Sequence, residues 1–142
     1  MTNPFPKYTP GDLDDHHAIG ALVRNENGDY LMFFHKKFAF WTIPIGKAEP
    51  GETPYQGMCT ELKEECEIEI IKASEFATAP YEYMRHGKLV KVQLHLYDVH
   101  EYKGTPKNGE PHKHPEMKYL SIDAIRELDD ISDGTKLFLE QY

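Results

Sequence analysis

Two dense apolar blocks stand near the start of the chain, Ala18-Ile19-Gly20-Ala21-Leu22-Val23 and Tyr30-Leu31-Met32-Phe33-Phe34. Short apolar runs bounded by polar residues predict buried strands. Between them Asn25-Glu26-Asn27-Gly28-Asp29 carries an Asn-Gly turn signal, which predicts a hairpin. Phe38 to Ile45 reads as a short aromatic strand, with Pro44 placing its end at an edge or bulge. Gly46 to Glu52 predicts a loop. The apolar period then changes: Tyr55, Met58, Cys59, Leu62 and Cys66 fall at helical spacing. Thr53 at the N-cap, Pro54 at the first helical position and Gln56 three residues after the cap make a capping box with a pre-set proline. Ile68 to Ile71 and Phe76 to Tyr83 predict two strands, and Leu89 to Tyr102 alternates as a half-buried strand should, after a turn at Arg85-His86-Gly87-Lys88. Lys103 to Pro115 is a polar, Pro/Gly-rich loop, and Met117 to Leu120 a short strand. Ser121 caps a helix to Leu128, and Asp133 or a neighbour caps a last helix to Tyr142. No repeat or linker interrupts residues 1–142, which read as one α+β domain behind an extended lead-in at 1–16.

Composition narrows the function classes. The chain has 142 residues, 39% of them hydrophobic and 12% aromatic. That suffices for one core and excludes a disordered tail or a two-domain enzyme. There is no apolar run of about 18 residues to span a membrane. Met1 to Pro6 lacks the segments of a signal peptide, so a cytoplasmic location is expected. With 16 Lys+Arg against 24 Asp+Glu, the net charge of −8 argues against a nucleic-acid grip. Cys59 and Cys66, seven residues apart on one helix, stand roughly 10 Å apart, too far for a disulfide. Among the eight histidines, neither His16-His17 nor His112-Lys113-His114 has the spacing of a zinc site, and both read as loop residues. His95 and His100 are expected to face solvent or a cleft.

The acid is concentrated at one place. Glu61, Glu64 and Glu65 stand at i, i+3 and i+4 of the capped helix, so three carboxylates converge beside the apolar stripe. Like charges at that spacing repel, and a hard divalent cation would relieve the repulsion. A solvated glutamate-rich face fits the same three residues.

The surrounding residues add a pattern. Gly46, five residues, Glu52, seven residues, then Thr60-Glu61-Leu62-Lys63-Glu64-Glu65-Cys66-Glu67-Ile68 resembles the Nudix box of MutT-like hydrolases. The family pattern is Gly-x5-Glu-x7-Arg-Glu-U-x-Glu-Glu-x-Gly-U, with U a bulky aliphatic residue. Gly46, Glu52, Glu61, Leu62, Glu64, Glu65 and Ile68 match it over residues 46–68. The flanks Trp41-Thr42-Ile43-Pro44-Ile45-Gly46-Lys47 and Glu49-Pro50-Gly51-Glu52-Thr53 are similar to the family's too.

The resemblance implies an αβα sandwich with a mixed β-sheet. It implies a Mg2+-dependent hydrolase (Mn2+ as the alternative) that cleaves the pyrophosphate linkage of a nucleoside diphosphate derivative by water attack at phosphorus. Glu61, Glu64, Glu65 and the carbonyl of Gly46 would bind the metal, with Glu52 supporting the loop–helix geometry. The general base would be a box glutamate, Glu61 or Glu64, or an acid from a later loop, with Glu116 ahead of Glu110 and Glu101. Phosphate contacts are expected from Lys47, Arg24, Arg85 or Lys91, and base stacking from Trp41, Phe40, Tyr81 or Tyr83, although core packing suits each aromatic as well. A nucleoside triphosphate or dinucleoside polyphosphate is the first expectation for the substrate, an ADP-ribose or nucleotide-sugar linkage the alternative. The expected partner is a small nucleotide, with no nucleic acid or membrane, and with a homodimer left open. Two residues depart from the box: Thr60 replaces arginine and lacks its fork of donors. Glu67 replaces a glycine at a helix-ending position, where it is strained or the helix ends differently. These departures motivate the rival expectation of a nucleotide-binding module with decayed catalysis.

Overall fold

The computed structural model describes residues 16–85 and 87–142. The predicted lead-in, all but its last residue, and His86 of the predicted turn lie outside them. Seven strands and three helices follow one another as β1 (His16–Leu22), β2 (Tyr30–His35), β3 (Phe40–Thr42), β4 (Ile45–Lys47), α1 (Pro54–Cys66), β5 (Glu69–Arg85), β6 (Lys88–Lys103), β7 (Glu116–Leu120), α2 (Ile122–Arg126) and α3 (Asp133–Gln141). They form a mixed sheet of order β4-β1-β6-β5, with β1 and β6 parallel, and an antiparallel sheet of order β3-β2-β7.

Alternate side chains on the central strands enter two separate cores. Ala21, Val23, Leu31, Phe33, Tyr97 and Val99 join Met58, Leu62 and Cys66 of α1. Leu22, Tyr30, Met32, Leu94 and Leu96 join Ile125, Leu137 and Phe138 of α2 and α3. Apolar layers thus cover the strands on both faces, which is the expected α/β/α layering and α+β class. Among the described residues no helix is long and apolar enough to cross a membrane.

Several expectations change. The Asn-Gly turn forms, with Asn25 N–H donating to Asp29 O and Leu31 N–H to Val23 O, but β1 and β2 then diverge into different sheets. The predicted aromatic strand breaks at Ile43-Pro44 into β3 and β4, where the Pro44 carbonyl accepts the Ala21 amide. The two strands expected over 68–83 are one, β5, whose register against β6 shifts between Ile70 and Ala73 and again between Glu75 and Ala77. Such bulges break the alternation, which hid its continuity. The last helix is capped, within the expected neighbourhood of Asp133, by Ser132. As expected, Cys59 and Cys66 are free thiols.

His95 is buried instead of facing solvent, because β6 is covered on both faces; its Nε2 lies 2.8 Å from Nδ1 of buried His17. His16 and His17, read as loop residues, begin β1. Burial, and then the neighbouring His17, push the His95 imidazole down to about 4. An unfolded histidine titrates near 6.5. The unfolded chain therefore takes up the proton first, and stability falls as pH drops from about 6.5 toward 4. The cost approaches about 3 kcal/mol at the acid end. The melting temperature of the parent is expected to fall more steeply over that window than that of His95→Gln.

Helix α1 starts as expected. The Thr53 side chain accepts from Gln56 N–H and the Gln56 side chain from Thr53 N–H. It ends on Glu67 in the left-handed region at φ 58, ψ 36, its amide donating to carbonyls of Leu62 and Lys63. An L side chain there costs about 1 kcal/mol relative to glycine. Glu67→Gly is expected to raise the melting temperature by about 3 °C in thermal unfolding.

Candidate active site

The site is built where β4 delivers the chain to α1. Gly46 pairs with Ile19 on β4, an edge strand of the mixed sheet, and turns its Cα toward the helix. A methyl group placed there would fall on the Glu61 carboxyl. Glycine is thus what lets this carboxyl lie on the strand backbone. One turn later Glu65 is 3% exposed, while Glu64 between them is exposed. The helix therefore buries a carboxylate that the sequence placed only beside the apolar stripe.

The carboxyl groups of Glu61 and Glu65 are neighbours, close enough for each to act on the other's proton. Burial pushes both carboxyls well up from the ordinary range, and each like-charged neighbour pushes further: Glu64 on Glu61, Glu61 and Glu110 on Glu65. Oε1 of Glu65 is buried without a hydrogen-bond partner. Two adjacent carboxyls with an orphaned oxygen, beside a backbone cleared by glycine, suit a divalent cation that would neutralise and ligate them.

Glu52 ties the preceding loop to the helix. Its Oε1 accepts the Glu49 amide at 2.8 Å, and its Oε2 accepts the Thr60 hydroxyl at 2.7 Å. Thr60 thus contacts Glu52 through a single hydroxyl, where a guanidinium would offer a fork of donors.

The loop after β6 closes over Glu65. Lys107 and Gly109 N–H donate to the carbonyls of Cys66 and Glu65, at 2.9 and 2.7 Å. A side chain at Gly109 would collide with the Glu64 backbone. This brings Glu110 and His114 to Glu65, each offering a ligand atom within 4.8 Å of the others. The His114 side chain is 3% exposed, and burial, then His35, push its imidazole down to about 4. Sequence reasoning ranked Glu110 second and took His114 for a loop histidine. Its Pro-flanked polar surroundings carry no sign of burial. Glu116 stands outside the cluster, exposed at the start of β7, with Lys118 at 3.8 Å.

The expected phosphate and base contacts are dispersed. Arg24 is committed to Asp98 at 2.7 Å and lies 5.9 Å from the centre of the Tyr30 ring. Lys47 follows Gly46 in β4, half-buried. Trp41 packs on the second core with its edge toward Phe34, and the Lys118 ammonium lies 5.3 Å from its ring. Tyr83 pairs with Val90 along β5; its side chain is outside the described part of the structure.

Comparison with known proteins identifies the family. The NUDIX domain pattern matches residues 14–142. The 8-oxo-dGTP diphosphatase of Escherichia coli (strain K12) is 32% identical over 113 residues, covering 75% of this chain and 83% of that protein. Nudix hydrolase 5 of Arabidopsis thaliana is 32% identical over 69 residues, 45% of this chain, but the match spans only 23% of that longer protein. The crystal structure of a MutT NUDIX hydrolase from Burkholderia pseudomallei superposes with a TM-score of 0.78 at 22% identity, covering 89% of this chain and 97% of that one. With the box running from β4 through its loop into α1 and the family pattern running through nearly the whole chain, the protein belongs to the Nudix family as a MutT-like hydrolase, a pyrophosphohydrolase by class.

Proposed function

We propose that the chain hydrolyses a nucleoside triphosphate, using one water to give the nucleoside monophosphate and pyrophosphate. The observation that carries the site assignment is the Glu61–Glu65 carboxyl pair held against Gly46. The choice of a triphosphate is supported by the name of the Escherichia coli relative, which matches over most of both chains.

Glu61, Glu64, Glu65 and the carbonyl of Gly46 would hold the divalent ion, Mg2+ first. When bound it supplies positive charge to the phosphate oxygens and lowers the cost of generating hydroxide. Of the three helix carboxylates Glu64 is the most exposed, and it would take the proton from the attacking water. Glu52 and Thr60 hold the Gly46 to Glu52 loop in register with the helix. Lys47, adjoining Gly46, is the cation nearest in sequence to the proposed phosphate site.

A nucleotide panel with Mg2+, followed by pyrophosphate release, tests the reading. Release from triphosphates above all others is expected. Turnover confined to dinucleoside polyphosphates or ADP-ribose would overturn the triphosphate assignment. The Thr60 hydrogen bond to Glu52 also speaks against decayed catalysis: Thr60→Arg is expected to keep or raise kcat, and a clear fall would mean that the site has been rebuilt around threonine.

A further inference from the structure

The loop over α1 is fixed from several sides. Besides its bonds to the helix carbonyls, Asn108 Nδ2 donates to His114 O at 2.6 Å, His114 N–H to Glu110 O at 3.0 Å and Lys36 N–H to Lys113 O at 2.9 Å. His114 is thereby folded back onto Glu65, its ring 4.6 Å from Phe33 and 5.3 Å from His35. Its Nε2 lies 3.6 Å from Glu65 Oε2, beyond hydrogen-bond reach. Nδ1 of His114 and Oε1 of Glu65, in side chains that are each 97% buried, have no hydrogen-bond partner. Burying polar atoms in this way is unfavourable unless something else binds them. Two ligands held about 2.1 Å from a tetrahedral ion stand about 3.4 Å apart, close to the 3.6 Å between His114 Nε2 and Glu65 Oε2, while the orphaned atoms are the other nitrogen of that ring and the other oxygen of that carboxyl. Glu110, with Lys113 on its Oε2 at 3.1 Å, keeps its other oxygen for a ligand role.

We propose that Glu65, Glu110 and His114 form a cation position beside the box carboxylates that takes a borderline transition metal of the Zn2+ or Co2+ class through the His114 imidazole. This deepens, and rests on, the reading of the Glu61–Glu65 patch as a divalent-cation site. Mg2+ prefers oxygen ligands in a near-octahedral, largely hydrated set, whereas imidazole favours Zn2+, Co2+ and Ni2+. Two carboxylates and one imidazole around a divalent ion leave no net charge in a buried place, and a water or a substrate oxygen can close the coordination.

The full chain, stripped of metals, is titrated with Co2+ as the probe. The proton NMR spectrum of the Co2+ form is expected to show a strongly shifted, exchangeable imidazole N–H signal that is lost in His114→Phe and His114→Gln and kept in His100→Gln, a change at an exposed histidine bonded to Ser74 outside the cluster. By calorimetry, the Co2+ affinity of the His114 variants is expected to fall at least about tenfold, the scale of losing a metal-site partner, with Mg2+ affinity little changed. Stoichiometric Co2+ binding by the parent without a shifted imidazole signal would overturn the proposal even if neither His114 variant folds. So would unchanged Co2+ affinity in a folded His114 variant. Absence of any Co2+ or Mg2+ binding would overturn the carboxylate-patch reading itself, and this proposal with it.

Discussion

Replacing Glu65 by glutamine is expected to lower turnover by about three orders of magnitude, equivalent to about 4 kcal/mol of transition-state stabilisation. The amide has the shape of the carboxyl and fits the same buried place, so the fold should survive. What it lacks is the negative charge. Glu65 is the helix carboxylate in contact with Glu61 on one side and with the Glu110–His114 loop on the other. A neutral group there leaves any bound cation short of a ligand and weakens the field acting on the phosphates. With metals stripped, the variant should melt no lower than the parent, since a neutral amide replaces an acid crowded by other acids. Steady-state kinetics of pyrophosphate release, with circular dichroism to verify folding, decide the matter. A rate close to the parent's would remove Glu65 from the reaction.

The second large effect is expected at Gly46, a position with no functional group. In Gly46→Ala the added methyl occupies the space of the Glu61 carboxyl, which must swing away from the strand. Displacing a reacting or ligating group by about 1 Å can cost about a hundredfold in rate. A fall of that size in kcat is expected, with a smaller change in KM if the nucleoside is gripped elsewhere. Calorimetry should show weakened Mg2+ binding alongside it. Because Gly46 has an ordinary extended backbone, paired on both sides of its register with β1, the loss would come from crowding and not from strain. Parental kinetics and metal affinity in the alanine variant would contradict the placement of Glu61.

How far these features could be read without coordinates depended on their range along the chain. The capping box of Thr53, Pro54 and Gln56 is a local device, and α1 begins where it says. The i, i+3, i+4 glutamates and the Gly46 and Glu52 spacing are local too, and they led to the site. What escaped is non-local. Nothing near Asn25 tells that β1 will leave β2 after a single turn to pair with β6, because that choice rests on residues some eighty positions away. Nothing near His114 tells that Gly109 will dock on the end of α1 and carry the imidazole into a buried place. The bulged β5 reads as two strands because its alternation is interrupted, and His95 reads as facing solvent or a cleft because its alternation with apolar residues does not tell that β6 is covered on both faces. Glu67 and Thr60 looked like losses. The structure shows the first as a left-handed cap held in spite of its side chain, and the second as a hydroxyl donating to Glu52.

The parallel pairing of β1 with β6 has a kinetic consequence. His17 and His95 meet across 78 positions of chain, whereas β5 and β6 meet through a tight hairpin. Loop closure over such a span carries an entropic cost that neighbouring strands avoid, and folding rates fall as contacts become more distant. The long hairpin is therefore the early-forming part, and β1 can be seated only once β6 offers it an edge. Because β4 and Gly46 reach the sheet through β1, the catalytic geometry would be among the last features to mature during refolding, and recovery of activity should lag behind recovery of strand signal.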